Sequence, residues 1–151
     1  MTTTMLNSNT LDEGLTALLA DVHRLSMRAR FYHWNVTGIW FAPLHSLFET
    51  HYDALAETED LLAERLRALQ LSAPFSMAEL LAASTLRDDD QIPDAMTMLR
   101  QLLAGYEHLD RSAAAVQAQA EQQDDHVTAD MLIGLLTDWQ KSMWMLRAHL
   151  D

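Results

Sequence analysis

The sequence predicts an all-α protein, a bundle of four long helices with one short extra helix. Turn formers are scarce, with 4 Gly and 3 Pro in 151 residues, so the chain has few places to reverse and its elements must be long. Its abundant residues, Leu, Ala, Met, Glu, Gln and Arg, favour helix. Apolar residues recur at spacings of three and four, the period of one helix face, in four separate stretches. Hydrophobic residues at 49% and charged residues at 21% suit a single globular domain of this length, with a sizeable core.

Residues 1–10 carry no periodic apolar pattern and are expected to form a short flexible tail, with the domain spanning 11–151. Leu11, Leu15, Leu18, Val22, Leu25, Ala29, Tyr32 and Val36 then make one continuous stripe. Gly38 is expected to stop this first helix, and Pro43 to sit at the first position of the second. The second stripe is Leu44, Phe48, Tyr52, Leu55, Leu62, Leu66 and Leu69. Ser76 and Glu79 form a capping-box pair that opens a short helix to about Ala83. Asp88, Asp89, Asp90 and Pro93 mark the approach to a third long helix, striped by Met96, Leu99, Leu103, Tyr106, Leu109, Ala113, Val116 and Ala120. Asp124 or Asp125 caps a fourth, with Met131, Leu132, Leu135, Trp139, Met143, Leu146 and Leu150 facing inward. Two tight hairpins joined by a crossover of about twenty residues is the connectivity of ferritin-like bundles.

Composition also excludes functions. The chain has 0 Cys, so disulfides, thiolate chemistry and zinc fingers are out. No apolar run approaches the ~20 residues that span a bilayer. The opening MTTTMLNSNTLDEG lacks the basic start and apolar stretch of a secretory signal, so a cytoplasmic protein is expected. Net charge is −12 and Lys141 is the one lysine. Such a chain repels phosphate backbones and membrane surfaces and attracts cations. The same charge also describes a plain soluble acidic protein.

Metal-ligating residue types converge on the second helix. Relative to His45, Glu49 lies at about 40°, Asp60 at about 60° and Glu64 at about 100° around the helix axis. All four point to one sector beside the apolar stripe. His33, near the end of the first helix, returns close to His45 through the tight turn. Two imidazoles and three carboxylates suit Fe(II), Mn(II) or Zn(II) rather than a soft ion. Yet Glu49 and Asp60 are eleven residues apart in sequence, roughly 16 Å along a helix. Metal–oxygen bonds are about 2 Å, so one ion cannot touch both. The set divides into His33, His45 and Glu49 at one end and Asp60 and Glu64 at the other. A two-fold axis between antiparallel copies of the helix would bring unlike halves together and make two identical shared sites. No Glu-x-x-His motif of an intrabundle di-iron centre occurs. The bland alternative is a solvated surface, with Asp60 and Glu64 paired to Arg65 or Arg67 and His33 favoured by the helix dipole.

The stretch HWNVTGIWFAPLHSLFETHYDALAETEDLLAERLRAL, His33 to Leu69, closely resembles the signature of the Dps family, the starvation-induced mini-ferritins. The closing WMLRAHL, Trp144 to Leu150, resembles that family's final helix. The resemblance implies that His33 and His45 ligate from one subunit while Asp60 and Glu64 come from its two-fold partner. Glu49 stands where some members carry Asp, and either carboxylate can ligate. It further implies a homo-oligomer, a dodecameric shell that oxidises Fe(II), preferentially with hydrogen peroxide, stores the ferric product and limits oxidative damage. Zinc or manganese fits the same ligands. Trp34 resembles the family's tryptophan beside the site, with interface packing as the alternative; Trp144 carries the same ambiguity and leans toward the core. Asp125 and Asp130 resemble residues lining three-fold pores through which iron enters, with helix capping and plain surface as alternatives. His126 has no motif behind it.

DNA-binding members commonly use a Lys/Arg-rich tail. Here the first basic residue is Arg24, the N-terminal stretch holds Asp12 and Glu13, and the sequence closes on Asp151. Weak or absent DNA binding is therefore expected, with nucleoid association only if DNA is bound. A DNA-condensing protein and a non-catalytic structural bundle are the competing functions.

Overall fold

A computed structural model describes residues 10–151. The expected tail thus falls, but for Thr10, outside the described residues. Thr10 itself caps the first helix. Its hydroxyl accepts from the Glu13 N–H at 3.2 Å, and its own N–H donates to the Glu13 carboxylate at 3.3 Å. That capping box satisfies donors the first turn would otherwise orphan.

The elements are α1 (Leu11–Asn35), α2 (Phe41–Ala68), α3 (Met77–Ala83), α4 (Ala95–Gln122) and α5 (His126–Ala148), with no strand among the described residues. α1 packs on α2 and α4 on α5 as hairpins; α1 also meets α4 and the short α3. Thr10, Ser76, Asp94 and Asp125 cap α1, α3, α4 and α5, each accepting from a backbone N–H three residues on. α2 begins without a side-chain cap, after Trp40. Pro43 is its third residue rather than its first, which is tolerated because first-turn N–H groups have no intrahelical partner. Gly38 lies in the turn at φ 107°, a conformation L side chains rarely adopt.

The core takes the predicted stripes from all four long helices. On α2, Phe48, Leu55, Leu62 and Leu66 are at most 1% exposed. Burying each such side chain contributes about 1.5–3 kcal/mol. Together they fix the rotation of α2 about its axis, and that rotation aims His45, Glu49, Asp60 and Glu64. One aromatic departs from expectation. Trp139 and Met143 are buried, but Trp144 is 63% exposed, because it follows Met143 by about 100° of helix rotation.

A polar stripe on α1 ties down the crossover. Asp21, 1% exposed, accepts from Ser84 Oγ at 2.7 Å, Thr85 N at 2.6 Å, Thr85 Oγ at 2.5 Å, Leu86 N at 3.1 Å and His108 Nε2 at 3.0 Å. Arg24 holds Ser84 Oγ at 3.0 Å and Asp88 at 2.8 Å. Arg28 donates to the Arg87 carbonyl, and the Tyr32 hydroxyl to Asp89. These four residues share one face of α1 at helical spacing. The crossover is thereby laid along α1 as far as the residue before His33.

Candidate metal centre

α1 ends and α2 begins around a turn that seats His33 against His45. Their rings stack with centroids 3.6 Å apart and planes 16° from parallel. His33 Nδ1 lies 2.6 Å from the His45 carbonyl oxygen, and His45 Nδ1 lies 2.7 Å from the His33 carbonyl oxygen. A carbonyl only accepts, so both Nδ1 atoms carry the proton and both Nε2 lone pairs are open. This is how metal-binding histidines are oriented, by a hydrogen bond from the other ring nitrogen. Phe41 stacks on His45 at 5.0 Å, and Tyr52 meets the His33 ring edge-on at 5.3 Å. Both histidines are half-buried.

Glu49 is exposed one turn beyond His45, and the Tyr52 hydroxyl is raised above its usual pKa by burial and by the charges of Glu49 and Asp53. Asp60 and Glu64 lie further along the same unbroken helix, both exposed, so the roughly 16 Å between Glu49 and Asp60 stands. The ion pairs of the bland alternative do not form. Arg65 is drawn to Thr128 Oγ at 2.8 Å and Asp125 at 3.2 Å, and Arg67 to the Leu71 carbonyl at 2.8 Å. Asp60 and Glu64 are left without a hydrogen-bond or ion-pair partner among the described residues. Nor do any three His, Asp or Glu side chains gather into a metal-holding group there. The histidines come together, and Asp60 and Glu64, further along α2, do not join them within the chain.

Phe31, Trp34, Ile39, Trp40 and Phe41 form an exposed apolar cluster around the histidine end, with Trp34 61% exposed. A groove of about 660 Å³ beside Asp60 is lined by Glu57, Glu59, Phe75 and Met77 among others.

Two residues absent from the sequence-based candidates, Arg30 and Tyr52, complete the histidine end. The Arg30 guanidinium carbon lies 4.5 Å from the Tyr52 ring centroid. Tyr52 was legible only as a stripe residue; its i+3 spacing from Glu49 was the available signal. The pore candidates diverge. Asp125 caps α5, accepting from Thr128 N at 3.0 Å and Thr128 Oγ at 2.5 Å, and pairs with Arg65 at 3.2 Å. Asp130 is exposed on the next turn. His126 pairs with Glu121 at 3.3 Å.

The ferritin-like domain family model matches residues 13–151. A DNA protection during starvation protein of Helicobacter pylori is 31% identical over 139 residues, covering 91% of this chain and 96% of that one. Antigen TpF1 of Treponema pallidum is 33% identical over 139 residues, covering 91% and 78%. Its crystal structure superposes with a TM-score of 0.90 at 32% identity, covering 93% of this chain and 91% of that one. The Dps protein of Vibrio cholerae, described as a member of a broad superfamily of ferritin-like diiron-carboxylate proteins, gives a TM-score of 0.90 at 29% identity, covering 93% and 89%. The chain therefore belongs to the Dps family of the ferritin-like superfamily.

Proposed function

We propose that this chain is the subunit of a ferroxidase and iron store that oxidises Fe(II), preferentially with hydrogen peroxide, at sites shared between two-fold partners. The carrying observation is the His33–His45 pair. Two open Nε2 atoms sit at one end of α2, and two unpartnered carboxylates, Asp60 and Glu64, sit at the other. An antiparallel partner supplies what each end lacks. Iron is the substrate: two Fe(II) and one peroxide with two protons give two Fe(III) and two waters. Carboxylates favour Fe(III) over Fe(II), which lowers the potential for that transfer. Glu49 adds a third carboxylate, and the N/O donor set also accepts zinc or manganese. The exposed apolar cluster at Trp34 and Trp40 is the face that a partner would cover.

Membership of the ferritin-like family supports a closed shell, a dodecamer, that retains ferric iron and keeps Fe(II) and peroxide from forming radicals. Asp130 is assigned to the pore through which iron enters, in a cytoplasmic protein. The experiment adds Fe(II) anaerobically, then peroxide or oxygen, and follows ferric absorbance. Wild type oxidises fastest with peroxide; a His33→Ala/Asp60→Ala double variant slows by orders of magnitude. Equal rates in the two proteins would defeat the site.

A further inference from the structure

Four arginines, Arg24, Arg28, Arg30 and Arg65, are half-buried, and three of them end on oxygen acceptors. Arg24 holds Ser84 and Asp88, Arg28 two backbone carbonyls, and Arg65 Thr128 and Asp125. Arg30 is the exception. Its Nε is buried without a hydrogen-bond partner, and no ion pair reaches it among the described residues. An unmet buried donor costs free energy, and a guanidinium is built to grip a carboxylate with two parallel bonds. The side chain is nevertheless held in place. Its guanidinium carbon lies 4.5 Å from the Tyr52 ring centroid, within the range of a cation–π contact. The same ring meets His33 edge-on at 5.3 Å. A fixed, unpaired cation thus stands beside the histidine pair.

We propose that Arg30 pairs with Asp60 of the partner subunit and is the positive charge that balances the carboxylates of the shared site in metal-free protein. The assignment rests on the shared site proposed above. Along α2 the order is His45, Glu49, Tyr52, Asp60, Glu64. An antiparallel partner runs through that order backwards, so the partner's Asp60 falls on the Tyr52 side of His45 and the partner's Glu64 beyond it. Three carboxylates, Glu49 with the partner's Asp60 and the partner's Glu64, then crowd one imidazole pair, and like charges so close repel. A guanidinium held by Tyr52 offsets that repulsion. A carboxylate has lone pairs enough for a guanidinium and a metal together. A bound dication supplies positive charge itself, however, so Arg30 matters most before metal arrives.

Sedimentation across a dilution series, in chelator and with enough urea to bring dissociation into range, reads the affinity between subunits. Arg30→Gln keeps donors and deletes the charge. It is expected to weaken that affinity roughly 5- to 30-fold per contact, between the worth of an exposed pair and of a buried one. The loss shrinks when Co(II) is present, and it nearly vanishes in an Asp60→Asn background, where the pair is already broken. Arg30→Lys keeps the charge without the flat stacking group and retains most of the wild-type affinity. If Arg30→Gln does not assemble, its assembly in the Asp60→Asn background carries the test, and failure there too overturns the pairing. Wild-type affinity in Arg30→Gln, an equal loss in both backgrounds, or an Arg30→Lys as weak as Arg30→Gln overturns the pairing and leaves the metal site standing. Coupling of Arg30 to Asp60 in a protein that binds no Co(II) by calorimetry overturns the metal site and leaves the pairing.

Discussion

His33 and His45 each donate from Nδ1 to the other's backbone carbonyl, at 2.6 and 2.7 Å. The reciprocity fixes both tautomers and turns both Nε2 atoms outward together. Because the two rings are one unit, losing either disturbs both. A single ring substitution should therefore abolish metal binding at that end rather than halve it.

The proposed sharing of each site between two chains yields a mixing experiment. In a dimer of a His33→Ala chain with an Asp60→Ala chain, one site carries both lesions and the other carries none. Neither homodimer has an intact site. Co-assembled from equal parts of each variant, the protein should recover about a quarter of wild-type ferroxidase activity, by random pairing across a two-fold axis. A site contained in one chain would recover nothing, and that result would sink the inter-subunit reading.

Asp21 is the anchor of the crossover. Burial pushes its carboxyl up, but hydrogen bonds from Thr85, Ser84 and His108 outweigh burial, and its pKa lies below the usual 3.8. A carboxyl depressed in the folded state contributes stability that is present above the unfolded value of about 3.9 and is lost as pH falls through the folded value. Asp21→Asn leaves buried donors such as Thr85 N and Leu86 N poorly paired, a cost of about 1–3 kcal/mol at neutral pH. It should also remove part of the loss in stability below pH ~4. Amide exchange at Thr85 and Leu86 is the local measure; unchanged protection in the variant would refute the anchor.

Two helical glycines make opposite predictions. A Cβ at Gly105 would lie 2.2 Å from Leu25 Cδ1, whereas one at Gly134 meets nothing within 4 Å. Gly105→Ala forces α4 and α1 apart and should cost about 1–3 kcal/mol. Gly134→Ala should stabilise by about 0.4–1 kcal/mol by restricting the unfolded chain. Urea midpoints of the two variants moving in the same direction would contradict the packing of α1 on α4.

Much of this was legible from sequence because short-range patterns carried it. Stripes at three and four placed the long helices, and Ser76 with Glu79 placed α3. The separation of Glu49 from Asp60 along α2 followed from helix rise alone. What stayed hidden depends on partners far along the chain. Asp21, Arg24 and Arg28 look like ordinary helix polars until Ser84–Asp88 is folded onto them, some sixty residues away. Arg65 is equally uninformative until Asp125 arrives. Trp144 was misplaced for a simpler reason: hydrophobicity argued for the core, while helix phase set by Trp139, Met143 and Leu146 put it outside.

The weak DNA binding expected from sequence gains a second support in the folded chain, where several cations are already engaged. Arg24 pairs with Asp88, Arg65 with Asp125 and Arg147 with Glu107, against a net charge of −12. The other seven of the 10 Lys and Arg residues are outnumbered by 22 acidic residues, which repel a phosphate backbone. Plasmid should migrate unshifted in a gel at neutral pH and moderate salt without divalent metal. Retention there would overturn the expectation.

Asp125 and Asp130 separate capping from cation attraction. Asp125 spends both oxygens on Thr128 and Arg65, so Asp125→Ala should cost about 1 kcal/mol as a lost N-cap. The half-buried pair with Arg65 adds at most about another. Asp130 is exposed, and its substitution should leave stability within about 0.5 kcal/mol. If Asp130 lines the pore, three copies focus a field that gathers Fe(II), and Asp130→Ala slows iron uptake at low salt more than at high salt, where screening already weakens the field. Uptake by Asp130→Ala at the wild-type rate at both ionic strengths would remove Asp130 from the pore. Undiminished stability in Asp125→Ala would remove Asp125 from its cap.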